Sequence, residues 1–199
     1  MTSPFNEIGS ETREAPKIGR RIESLDDITR EISQRRIHAE FGPWIDPERS
    51  ALVREIPDKI EDDEQFEESA HAHGFDDTEG LCGFATRPED PAYVRRGDDV
   101  AERIATAGHE DLHRLTHPEI LRETSENAPL KDFYEGVTEY LNLQAMDGLH
   151  EYQPVEVYSK QVEAARQLAD EVGEQSLRDW YFKHELSEEL SRALDRIAR

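Results

Sequence analysis

The chain has 199 residues, enough for one domain with a sizeable core but short for two. Its 46 Asp and Glu against 24 Lys and Arg give a formal net charge of -22, and only five of the cations are Lys. A field of that sign repels nucleic-acid backbones and anionic membranes, so neither is expected as a partner.

Strong acidity with modest apolar content can mean disorder. Here, however, apolar residues recur periodically through most of the length, and the Lys-poor, Arg-retaining balance is similar to that of cytosolic proteins from extreme halophiles. The expectation is therefore a folded domain with a carboxylate-rich surface, whose self-repulsion is relieved by salt. Circular dichroism should then show helicity lost at low ionic strength and regained in molar salt; a spectrum indifferent to salt would remove the halophilic reading. The single Cys82 offers neither an internal disulfide nor a thiolate metal site. Met1 to Gly19 lacks the apolar core of a secretion signal, and no apolar run approaches about 18 residues. A cytoplasmic location is expected.

In chain order, residues 1–19 carry Pro4, Gly9, Pro16 and Gly19 without a sustained period and read as a flexible arm before a single domain at 20–199. Ser24-Leu25-Asp26-Asp27 is a capping signal that leads into Ile28, Ile32 and Ile37, which predicts a packing or docking helix to about Glu40, stopped by Gly42-Pro43, in an N-terminal part at 20–45. Ala51 to Ile60, with β-branched residues and Pro57, predicts a short edge strand at about 51–57. Glu61 to His73 reads as an acidic helix closed by Gly74, with His71 and His73 solvated and diverging. Two short strands are expected at 81–86 and 92–96, and Phe66, Phe75 and Phe84 read as core.

Asp98-Asp99 can cap a helix from Val100 to about Thr116, with Val100, Ile104, Leu112 and Leu115 on its apolar face and Pro118 helping to stop it. A polar connection at 119–129 precedes a helix from Lys131 to Met146, completing a part at 51–146 that holds the sheet and the central helices. After Gly148, helices are expected at 155–172 and 176–199, in a C-terminal part at 150–199. The expected class is α+β, predominantly helical, with a small mixed sheet flanking the central helix.

That central helix carries Gly108-His109-Glu110-Asp111-Leu112-His113, an HExxH string. Residues four apart on a helix share a face, about 5–6 Å apart at Cβ, so His109 and His113 can offer two imidazole nitrogens to one ion, with the Glu110 carboxylate beside its water. At this chain's His and Glu frequencies the string arises by chance with a probability of roughly 5 per cent, so a third ligand must decide. His117 continues the spacing but lies about 12 Å along the axis from His109, beyond one tetrahedral site. The next helix supplies Glu135-Gly136-Val137-Thr138-Glu139-Tyr140.

With these two segments the chain resembles the zincin metallopeptidases, and among them the gluzincins, which include thermolysin-like proteases and related aminopeptidases. The resemblance covers about residues 81–146. It implies Zn²⁺ held by His109, His113 and Glu135, Glu139 behind a ligating His, Glu110 as general base, and a peptide or protein as substrate. Glu119 and Thr116 depart from the metzincin pattern. No residue is matched to the oxyanion-stabilising donor; Tyr152, Tyr158, Tyr181 and His184 are chemically suitable. Two other readings stand beside the peptidase: a non-catalytic zincin-like module that binds a partner through the arm and the Ile28 to Ile37 helix, and a metalloprotease effector or toxin cargo of an injection system, whose small domains are similar in pairing HExxH with an EGxTEY-like helix.

Overall fold

A computed structural model describes residues 24–97, 99–149 and 158–199. The expected arm at 1–19, Asp98, Tyr152 and the start of the helix placed at Val155 lie outside the described residues. Within them the protein is mostly helical with a small mixed sheet of three strands, an α+β arrangement. No described helix is long and apolar enough to cross a membrane.

Helix α1 (Leu25–Phe41) starts at a full capping box: the Asp27 N–H donates to Ser24 Oγ at 3.1 Å and the Ser24 N–H donates to Asp27 Oδ2 at 3.0 Å. The strand expected at 51–57 is instead the second half of helix α2 (Pro47–Glu55). Asp46 accepts from the Arg49 N–H at 2.9 Å and Pro47 takes the first helical position, so local start signals outweigh the β-branched content that follows. The strand lies later, as β1 (Lys59–Glu61), and helix α3 (Asp63–Ala72) follows it under an Asp62 cap.

The other two strands are shorter than expected, β2 (Gly83–Phe84) and β3 (Tyr93–Arg95). The sheet order is β1-β3-β2, with β1 parallel and β2 antiparallel to β3, which leaves β2 at an edge. Phe66, Phe84 and Tyr93 form a small core with Phe75 packed against it. His73 is exposed, yet its ring sits 5.0 Å from that of Tyr93.

Helix α4 (Val100–Leu115) carries the HExxH residues. Asp99 accepts from the N–H groups of Ala101 and Glu102, while Ile104, Leu112 and Leu115 are buried and Val100 is exposed at the start. The expected connection at 119–129 contains another helix, α5 (Pro118–Ser125), because Pro118 both ends one helix and occupies the first position of the next. Helix α6 (Ala128–Ala145) starts earlier than expected, at an Asn127 cap with Pro129 in its first turn.

Helix α7 (Ser159–Val172) packs along α6 at Gly136, where a Cβ would lie 2.5 Å from the Gln161 backbone. Only a bare Cα allows that seam. The single helix expected at 176–199 is two, α8 (Glu174–Lys183) and α9 (Glu188–Ile197). Between them His184 adopts φ 57, with its N–H donating to Trp180 O and the Glu185 N–H to Asp179 O. This left-handed stop normally announces itself with Gly or Asn, and here the residue is His. The main core joins α1, α4, α6 and the C-terminal helices through residues such as Phe41, Leu112, Leu141 and Phe182.

Candidate metal centre

Helices α4 and α6 meet where Gly108 allows it. A Cβ there would lie 2.4 Å from Met146 Cε and 2.7 Å from Asn142 Oδ1, so the glycine lets α6 press against the turn that carries His109. Across this contact His109 Nε2 and His113 Nε2 are 3.0 Å apart, and Glu135 Oε2 lies 3.6 and 3.2 Å from them. These residues offer ligand atoms within 4.8 Å of one another, a group that could hold a metal ion.

The outer nitrogens of both rings are engaged. His109 Nδ1–H donates to Glu139 Oε2 at 2.9 Å, and Glu139 also accepts from Asn142 Nδ2 at 3.2 Å. His113 Nδ1 meets the Tyr134 hydroxyl at 2.7 Å. The direction of that bond follows from a relay: Thr116 Oγ1–H donates to Leu112 O at 2.9 Å, so the Tyr134 hydroxyl, 3.1 Å away, donates to Thr116 and accepts from His113 Nδ1–H. In neutral rings, therefore, both Nε2 atoms carry lone pairs. They converge with a carboxylate oxygen on one point, an arrangement that calls for a cation.

The site favours positive charge between these groups, whether a metal ion or a proton on His109. Burial opposes charge on His109, but its hydrogen bonds to the Glu135 and Glu139 carboxylates and the charge of Glu110 outweigh it and push its pKa up to about 10. Burial likewise works against the Glu135 carboxylate, yet His113 and His109 hold it well below the usual range. Glu110 is raised, chiefly by burial, with the two histidines pulling it back. Its carboxylate lies under β2, where a Cβ on Gly83 would come within 3.0 Å of Oε1. A cleft of about 450 Å³ opens onto His109, Glu110, His113 and Glu135, with β2 and Tyr158 among its walls.

Of the oxyanion candidates, Tyr158 lines this cleft, its ring stacked 5.8 Å from His109. Burial, reinforced by nearby carboxylates, raises its phenol, which stays protonated at neutral pH. Tyr181 and His184 do not line the cleft: Tyr181 is fully buried with its hydroxyl 2.9 Å from Thr138, and His184 stacks on His117 and sits 3.2 Å from Glu123. His117 caps α5 and is not among the converging ligands.

Two features of the site have no motif in the sequence. One is Tyr134, adjacent to Glu135 on α6. The other is a buried clamp in which Arg114 Nη1 donates to Asp58 Oδ1 at 3.0 Å and Asp111 Oδ1 at 3.3 Å, and Nη2 to Ile56 O at 2.8 Å. It ties α4 to the residues leading into β1. Both carboxyls are raised, chiefly by burial, Asp58 to about 6. Removing the cation leaves this buried pair uncompensated. Arg114→Met should therefore cost about 3–5 kcal/mol in a denaturant-unfolding measurement, well beyond the effect of a surface arginine.

No family model, curated protein or solved structure matches this chain. The functional reading rests on the site.

Proposed function

We propose that the protein is a zincin-like zinc metallopeptidase. The observation that carries the proposal is the convergence of two lone-pair nitrogens and one carboxylate oxygen with edges of 3.0, 3.2 and 3.6 Å. A tetrahedral ion holding N and O donors at about 2.0–2.1 Å needs edges of about 3.3–3.4 Å, so the set fits zinc without rebuilding either helix. His109, His113 and Glu135 would hold the ion, with Glu139 and Tyr134 fixing the two imidazole rings. When bound, zinc supplies Lewis acidity, polarising a carbonyl and bringing the pKa of a coordinated water toward about 7.

In this reading Glu110 would take the water's proton and return it to the leaving amine. Its burial favours that role, because a carboxyl raised from its ordinary value is a better base near neutral pH. Tyr158, protonated and facing the cleft, is the candidate donor to the oxyanion. The edge position of β2 beside Glu110 gives an extended peptide a backbone to pair with, which favours an amide substrate.

The test combines metal analysis with a broad peptide-hydrolysis assay. One zinc per chain and hydrolysis that disappears on chelation and returns with added zinc are expected. Stoichiometric zinc without turnover of any peptide would instead favour the non-catalytic binding module.

A further inference from the structure

The cleft beside the metal centre breaks the charge pattern of the rest of the molecule. Cations are outnumbered, 24 against 46, and many are engaged by carboxylates, as Arg95 is by Asp63, Arg178 by Glu40 and Arg196 by Glu171. Arg87, in the connection from β2 to β3, and Lys131, near the start of α6, both line the cleft that contains His109, Glu110 and Glu135. Both are exposed, and neither side chain has an ion pair or hydrogen bond among the described residues.

Lys131 also stands where a helix prefers the opposite charge. The first turns of α1, α2, α3, α4, α5, α8 and α9 all carry acidic residues, which complement the positive end of the helix dipole. The first turn of α6 has none, and the residue that follows it is the lysine. Helix α7 likewise has no acidic residue in its first turn, so among the described helices the two that begin beside the cleft, α6 near Lys131 and α7 after Tyr158, lack the usual complement to the dipole. With Glu110 and Glu135 facing the ion they would serve, these two side chains leave the cleft with spare positive charge inside a strongly negative protein.

We propose that the cleft selects peptides bearing a carboxylate close to the scissile bond, received by Arg87 and Lys131. The proposal rests on the peptidase reading for its substrate class. The contact is short-range, so it persists in salt: at 1 M the screening length is about 3 Å, which suppresses the repulsion of an acidic peptide by the distant surface more than a contact pair.

The carboxylate could be a side chain or a chain terminus, and binding to the zinc-loaded Glu110→Gln protein can separate the two. Three labelled peptides of equal length serve as probes: a C-terminally amidated peptide with a central Glu pair, the same peptide with Gln in both places, and the Gln peptide with a free C-terminal carboxylate. The Glu peptide or the free-carboxylate peptide should bind about tenfold more tightly than the amidated Gln peptide, and whichever does so names the source. Arg87→Gln and Lys131→Gln should each reduce that ratio by about threefold or more. Equal binding of all three peptides, or a ratio untouched by both substitutions, overturns the proposal. Wild-type hydrolysis of the amidated Gln peptide accompanied by equal binding would overturn the carboxylate preference alone. Acid-selective binding without turnover would support this surface while overturning the hydrolytic reading.

Discussion

Glu110→Gln should leave zinc bound at one ion per chain while peptide hydrolysis falls by about 10²–10⁴-fold, the range that general acid–base groups contribute. The substitution is nearly isosteric, so the amide should keep its place under Gly83, where there is no Cβ to displace it. What it removes is the capacity to accept a proton. Glu110 faces the cleft and is not one of the converging ligands, which is why metal content and turnover should separate. Zinc titration together with kcat on a fluorogenic peptide reads both, and full activity in the variant would eliminate the base.

Glu135→Ala should act on the other quantity. It deletes the oxygen that lies 3.2 Å from His113 Nε2 and 3.6 Å from His109 Nε2, leaving two nitrogens on one helix to hold the ion. Zinc affinity should fall by well over 100-fold, more than the roughly 10–100-fold expected when a partner behind a ligand is removed. Glu139→Gln supplies that internal comparison, because Glu139 contacts His109 through Nδ1 on the far side of the ring. Affinities measured against a competing chelator should therefore rank wild type above Glu139→Gln, and Glu139→Gln above Glu135→Ala. If Glu135→Ala bound zinc as tightly as wild type, the third ligand would have to be sought elsewhere.

The parts of the fold visible in the sequence are those specified by neighbours. The Ser24 to Asp27 box marks the start of α1 because capping is a contact across three residues, and the HExxH spacing places His109 and His113 on one face because a helix repeats locally. Glu135 and Glu139 share a face of α6 for the same reason, and the two helices then meet with Gly108 between them. The misread segments are those where two local signals compete. Pro118 is a stop and also a start, and Asp46-Pro47 turns a β-branched stretch into helix. His184 ends α8 in a conformation that its residue type does not advertise. Tyr134 and the clamp of Asp58 with Arg114 escape for a different reason. Their partners lie 21 and 56 residues away, and nothing near either residue specifies the pairing.

The clamp divides the molecule's charge problem into two that respond to different remedies. Surface carboxylates can draw counterions from solution, so their mutual repulsion weakens as salt is added. Asp58 and Asp111 have fully buried side chains, and dissolved ions barely screen them. The interior must carry its own counterion, and Arg114 is that ion, built into the chain. Relief of the surface repulsion and neutralisation of the core are therefore separate tasks, and a change in external salt can serve only the first.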